Sequence, residues 1–375
     1  MGGTCSRYIS MLLTVFLLSA SNAFDANSLP QVGYHPGGIS YWSTPYFCNA
    51  FYNGKWLEYE PGQWGDSVEV WNNPRFDENG FPKYLNDGKR LRGICFGLHC
   101  NYGQDRPGTW PRRSILAEGH IVLTWRGRAD IRLNRGLFIA SESSGEETGT
   151  LENGRRCYLF ENGRHLETLE IYAIDPANPV TDIKVWLSDP NDPEKVSLEN
   201  QLYHPVFLDR LADADWGFIR FMDFLQTNAN PQRDWSDRRL PSHCFTIGQL
   251  NPREPASGFR GNRSSGVAFE YIADLCNRTD KDLWVCVPHL ATDDFVRNLA
   301  RLICFGSDGR EPYTHEVANP VYPPLKKHLR VYIEYSNEIW SWGDSFAQGN
   351  WAYDQANSLG ITKPQFNARR FCQIW

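Results

Sequence analysis

The 375-residue sequence lacks several features that would have named a function class. It has no basic excess: 38 Lys and Arg stand against 44 Asp and Glu, a net charge of −6, so it has no strongly positive balance for binding nucleic acid phosphates. It has no CxxC and no Cys/His spacing of the zinc-site kind, and no GxSxG nucleophile elbow. It has no internal repeat and no low-complexity tract. One apolar run stands out, near the N-terminus, and it is too short to span a bilayer. Ordinary fractions of hydrophobic (41%) and charged (22%) residues exclude wholesale disorder and a multispan membrane protein.

Aromatic residues and cysteine are abundant instead, with 14 Trp and 10 Cys. Trp at this density fits either a Trp-stapled β core or surfaces that stack on sugar rings. Residues 1–23 have the parts of a secretory signal: Arg7, the apolar stretch Met11–Leu18 and the small-residue site Ser21-Asn22-Ala23. The expected mature chain is therefore secreted and carries no membrane segment. It keeps Cys48, Cys95, Cys100, Cys157, Cys244, Cys276, Cys286, Cys304 and Cys372. In an oxidising compartment most of these are expected to form disulfide bonds, and the odd number leaves one over. Asn262 and Asn277 begin N-glycosylation sequons.

Residues 24–180 read as a β-sandwich domain. Short β-branched and aromatic segments (Ser67–Trp71, His120–Trp125, Ala129–Leu133, Leu137–Ala140, Arg156–Phe160, Leu169–Ile174) alternate with Asn-Gly and Asp-Gly turns. Residues 181–375 alternate strand and helix. The strands expected are Val180–Leu187, Gly217–Asp223, Leu283–His289 and Leu329–Asn337. The helices are His204–Ala212, Ser264–Asn277, one capped by Thr292 and stopped at Gly306, and Asp344–Leu359. This implies a parallel sheet, doubly wound or a barrel.

In α/β folds the active site forms at the carboxyl ends of the strands. Three strand ends here carry Asp223, His289 and Asn337-Glu338. Period-2 alternation puts Glu334 on the face opposite Val331, Ile333 and Tyr335, where its charge needs a partner, and Arg220 on the second strand is the obvious one.

Asn337-Glu338 after an apolar strand and before Trp340, with Arg220 and His289 preceding in that order, resembles the second to fourth strands of the clan A glycoside hydrolases. The resemblance covers roughly residues 180–360. Segments such as GFIRFMDFLQTN and YIEYSNEIW are also similar to parts of other secreted proteins. It implies a (β/α)₈ barrel, here only its first four β/α units, with Glu338 as catalytic acid/base. It further implies that Asn337 and His289 position the sugar and that Arg220 holds the site's charges. Trp340 and Trp342 are candidate sugar platforms, and an apolar setting beside Ile339 and Trp340 would help Glu338 keep its proton. A retaining mechanism needs a second carboxylate about 5–5.5 Å away. The family takes it from the seventh strand, which residues 181–375 do not reach. The expectation is a fragment, with Asp223 and Asp293 as weaker local substitutes.

The function expected is hydrolysis of O-glycosidic bonds in a polysaccharide or glycan. The alternative is a non-catalytic carbohydrate-binding or extracellular matrix protein. No metal or organic cofactor is implied. Trp42, Trp56, Trp64, Trp71 and Trp110 could line a sugar-binding face or fill the first domain's core.

Overall fold

The computed structural model describes residues 32–37, 46–53, 56–70, 73–95, 119–133, 141–142, 149–160, 168–192, 197–244, 266–343 and 346–375. The signal segment 1–23, the strand expected at 137–140, the Asn262 sequon, Cys100, Trp42, Trp71 and Trp110 lie outside the described residues.

Two antiparallel sheets share one core. The larger has six strands: Asp66–Ser67, Trp56–Tyr59, Arg90–Ile94, Thr168–Ile174, Arg128–Leu133 and Leu151–Glu152, in that spatial order. The smaller orders Thr181–Trp186, Gly119–Arg126, Arg155–Phe160 and Ser141–Glu142. The alternating inward residues Leu91, Ile131, Leu169 and Ile171 of the first sheet meet Ile121, Leu123, Ile183 and Val185 of the second. Trp56 is sealed in this core with its indole N–H donating to Gly80 O at 2.9 Å, whereas Trp64 is exposed with Arg92 lying over its ring.

Four strands pair in parallel, in the order of the chain: β1 (Val32–Tyr34), β2 (Trp216–Phe221), β3 (Asp282–Val287) and β4 (Val331–Tyr335). Helices α1 (Pro205–Ala212), α2 (Phe269–Thr279) and α3 (Asp293–Phe305) each precede the next strand, and α4 (Ala347–Ser358) and α5 (Lys363–Ile374) follow β4. Phe207 and Leu211 of α1, Ile272 and Leu275 of α2, and Phe295, Leu299 and Leu302 of α3 bury against Ile219, Phe221, Leu283, Val285 and Val287. Thr292 caps α3, its side chain accepting from Phe295 N–H, and Gly306 ends it with φ +80°.

The expected division at residue 180 needs correcting. Thr181–Trp186, read from the sequence as the first parallel strand, pairs antiparallel with Gly119–Arg126 inside the sandwich. The first parallel strand is β1, from the segment assigned to the β-sandwich, so the sandwich is inserted between β1 and α1. Gly33 lets β1 seat there, since a Cβ would lie 2.0 Å from the Phe218 ring. Among the described residues the parallel sheet has four strands and is open; a closed barrel is not present.

The cysteines differ from expectation too. Cys95, Cys244, Cys276, Cys286, Cys304 and Cys372 are free thiols. Cys244 and Cys276 turn their sulfurs to the backbone carbonyls of Gly80 and Asp282. Asn277 sits in the last turn of α2, and its amide nitrogen, where a glycan would attach, donates to Pro324 O at 2.8 Å. Among the described residues no helix is long and apolar enough to cross a membrane.

Candidate functional site

The helices cover one face of the parallel sheet, and the opposite face carries the polar groups. Their side-chain contacts arrange them in layers. In the first, the rings of Phe218, Trp284 and Tyr332 lie 5.2–5.8 Å apart. In the next, Arg220 forks onto Glu334: Nε donates to Oε2 and Nη2 to Oε1, both at 2.9 Å. Trp284 Nε1 also donates to Glu334 Oε2 at 2.9 Å, and Cys286 Sγ at 3.3 Å. The carboxylate thus accepts from three side chains, and the pairing inferred from alternation is met. Burial works against the charge on Arg220, but the bonds and charge of Glu334 outweigh it and raise its pKa. Burial, then the negative charge of Glu334, pushes the Cys286 thiol up.

This network reaches the strand ends through Asn337. Arg220 Nη2 donates to Asn337 Oδ1 at 2.9 Å, and Asn337 Nδ2 donates to Asn228 Oδ1 at 3.0 Å. Gln348, from α4, donates to Asn228 Oδ1 at 2.7 Å and to Asn337 O at 2.9 Å. Both neighbours of Asn337 have left-handed backbones, Ser336 at φ +58° and Glu338 at φ +44°. Non-glycine residues rarely hold that conformation, and they do so where surrounding contacts impose it. The kink turns Asn337 inward and Glu338 out. Glu338 is exposed, and among the described residues its carboxylate has no hydrogen-bond or ion-pair partner.

The apolar setting expected for Glu338 is absent. Ile339 packs instead with Ala352, Ala356 and Phe366, while Trp340 and Trp342 are 68% and 55% exposed. Lys363, the first residue of α5, fixes this loop. Its Nζ donates to Trp340 O at 3.1 Å and Ser341 O at 2.6 Å, and lies 3.9 Å from the Trp342 ring centroid. His289, expected at the sugar, is 5% exposed with its ring edge-on to Trp351. Desolvation lowers its pKa to about 3, so it is neutral. Of the predicted residues, Arg220 and Asn337 touch, Glu338, Trp340 and Trp342 form an exposed rim beside them, and His289 is packed away from it.

Asp223 lies two residues past the end of β2, and His35 directly follows β1. Asp223 N–H donates to His35 Nε2 at 3.2 Å, and the Asp223 carboxylate is 3.9 Å from the same nitrogen. Burial lowers the pKa of His35, with Asp223 acting in the opposite direction. Asp293 is engaged elsewhere, accepting from Arg370 of α5 at 2.5 Å. Sequence reading missed His35 because it missed β1, and missed Asn228 because it lies beyond the end of β2, outside the strand ends that were read. Among the described residues no group of three or more His, Cys, Asp or Glu is placed to hold a metal ion. No protein-family model, curated relative or solved structure matches the chain.

Proposed function

We propose that the chain is a secreted glycoside hydrolase-like protein. Its parallel sheet is the first half of a (β/α)₈-type unit, and Glu338 acts as acid/base on an O-glycosidic bond. The observation that carries the reading is the chain of bonds Glu334–Arg220–Asn337–Asn228. It anchors an amide at the carboxyl end of β4 while the next residue presents a free carboxylate. An amide held at both ends is oriented to meet a sugar hydroxyl, and a neighbouring carboxyl group can deliver a proton to the leaving oxygen. Helices α1–α3 pack on one face of the sheet, as in a barrel; a doubly wound sheet has them on both. The other face shows a barrel-like layering, aromatic below and polar above.

In this reading Arg220 pairs with Glu334 and keeps Asn337 aimed, and Trp340 and Trp342 offer ring faces to the sugar. Asp223, beside His35, is a carboxylate just past the end of β2, two strands from β4. The experiment is release of reducing sugar from a panel of polysaccharides by the wild-type protein and the Glu338→Gln variant. The expected result is hydrolysis of at least one glycan, slowed about 10²–10⁴-fold by the substitution. Equal rates would overturn the acid/base assignment.

A second reading, a carbohydrate-binding protein without catalysis, is favoured by the exposure of Glu338 and of the Trp340–Trp342 pair. It is supported if the wild-type protein binds a glycan of the panel, hydrolyses none, and loses binding on Trp340→Ala.

A further inference from the structure

The bonded chain at the strand ends continues past Asn337 to Asn228, and each amide in it is oriented by a partner that has only one role. The Arg220 guanidinium can only donate, so the atom of Asn337 that meets it is Oδ1. Asn337 Nδ2 therefore points the other way, toward Asn228. Gln348 is fixed in the same manner. Ala229 N–H donates to its Oε1 at 3.1 Å, and its Nε2 donates to the carbonyl of Asn337. Two donors, Asn337 Nδ2 at 3.0 Å and Gln348 Nε2 at 2.7 Å, thus converge on Asn228, and the atom facing them must be Oδ1.

Those two bonds fill the lone pairs of the Asn228 oxygen and turn its Nδ2 outward. Nδ2 has no partner among the described residues, and it reaches solvent. The other two amides are closed off: Gln348 is fully buried with its oxygen and nitrogen bonded, and Asn337 is 6% exposed and bonded at both ends. Asn228 is the half-buried member of the three.

The loop that carries Asn228 is braced. Thr227 donates to Met222 O through both its N–H and its hydroxyl, at 3.1 and 2.8 Å, and Asn230 Nδ2 donates to Leu225 O at 3.0 Å. Gln226 and Ala229, which flank the Thr227–Asn228 pair, hold left-handed backbones at φ +50° and +54°. Non-glycine residues keep that conformation where contacts impose it. Thr227, Ala229 and Asn230 are buried, so of these four residues only Asn228 comes to the surface. A donor held in place beforehand loses little freedom when a ligand accepts from it. It stands one hydrogen bond from Asn337, the residue before Glu338. An uncharged donor here, with exposed indole rings on the loop that follows, suits a sugar, which offers hydroxyl oxygens at its edge and an apolar face.

We propose that Asn228 contacts the substrate of this site, its Nδ2 donating to a sugar hydroxyl oxygen, with Asn337 and Gln348 as the residues that position it. The identity of the ligand rests on the glycoside reading; the outward donor does not.

Isothermal titration calorimetry with xylohexaose, cellohexaose and mannohexaose tests it on Glu338→Gln protein, in which turnover is slowed, and on the same protein carrying Asn228→Asp or Asn228→Ala. Asn228→Asp keeps an oxygen for Asn337 and Gln348 to donate to, and replaces the outward donor by an acceptor. Asn228→Ala removes both. The expected result is that at least one hexaose binds and that Asn228→Asp weakens it about tenfold or more, with the urea midpoint near that of the parent. Asn228→Ala should weaken binding and lower the midpoint as well. The proposal is overturned if Asn228→Asp binds the hexaose as its parent does. Equal losses of stability in the two variants also overturn it, because the amide then only braces the loop. So does the failure of all three hexaoses to bind. Release of reducing sugar, with Glu338 in place, separates this contact from the glycoside reading. Hydrolysis that Asn228→Asp leaves unchanged keeps that reading and overturns the contact. Hexaose binding that depends on Asn228, without any hydrolysis by the wild type, overturns the hydrolase reading and leaves the contact standing.

Discussion

At the scale of residues, Asn337 is where the most constraints meet. Its side chain is bonded at both ends, its own carbonyl is taken by Gln348, and its neighbours are held in left-handed conformations. Arg220 is the hub of that arrangement, so Arg220→Met leaves Glu334 without its charge partner and Asn337 without its aim. A fully buried pair broken this way costs about 3–5 kcal/mol. Here both side chains are about a quarter exposed, and the expected loss is about 2 kcal/mol. Urea unfolding measures it; an unchanged midpoint would contradict the account.

The buried histidines give a second prediction at this scale. Burial lowers the pKa of His204 to about 4 and of His289 to about 3, and holds that of His243 well below its usual value. The unfolded chain takes up protons near pH 6.5 that the folded protein refuses. Stability is therefore complete above about pH 6.5 and declines as pH falls toward the folded values. The slope is on the order of 1.4 kcal/mol per pH unit for each histidine. Thermal melts should show Tm dropping from about pH 7 to about pH 5, less steeply in His289→Gln. A flat profile, or equal slopes, would count against neutral burial.

At the scale of elements, Lys363 holds the loop from Asn337 to Gly343 against α5. Its Nζ is buried without a carboxylate partner among the described residues, and two carbonyls depend on it. Lys363→Met leaves both carbonyls unpaired, an expected cost of about 1–3 kcal/mol, and frees Trp342. The tryptophan emission should shift to the red along with the loss of stability; an unaltered spectrum would show that the lysine does not hold the loop. Strands β2, β3 and β4 were legible in the sequence because each is a short apolar run ending in a polar group, and the cap Thr292 and stop Gly306 marked α3. Strand β1 was not, because it has three residues and owes its place to Gly33 passing under the Phe218 ring, a long-range contact. Thr181–Trp186 was read into the wrong sheet because a strand's pattern does not say which partner it finds. The Arg220–Glu334 pair followed from alternation, whereas the burial of His289 behind Trp351 depends on α4 and left no local trace. The capping box of Thr362 and Gln365 that starts α5 was present in the sequence and went unread.

At the scale of the molecule, the sandwich and the α/β unit are tied together by the chain itself. Tyr46 and Phe47 belong to the core beneath the parallel sheet, while Cys48, Ala50 and Phe51 belong to the sandwich core. Cys244, from the loop after β2, returns to the sandwich core. Two cores that share adjacent residues should melt together, so calorimetry should give one transition; two resolved transitions would show that the units are independent. The central claim concerns chemistry at the end of β4, and its most direct test separates protonation from the rest of catalysis. Turnover of aryl glycosides by wild-type and Glu338→Gln protein is compared across leaving groups. If Glu338 supplies the proton, the substitution slows a poor leaving group about 10²–10⁴-fold and barely affects bond cleavage with a dinitrophenyl group, which departs without one. Equal slowing of both, or no slowing of either, would contradict the assignment of Glu338 as the acid.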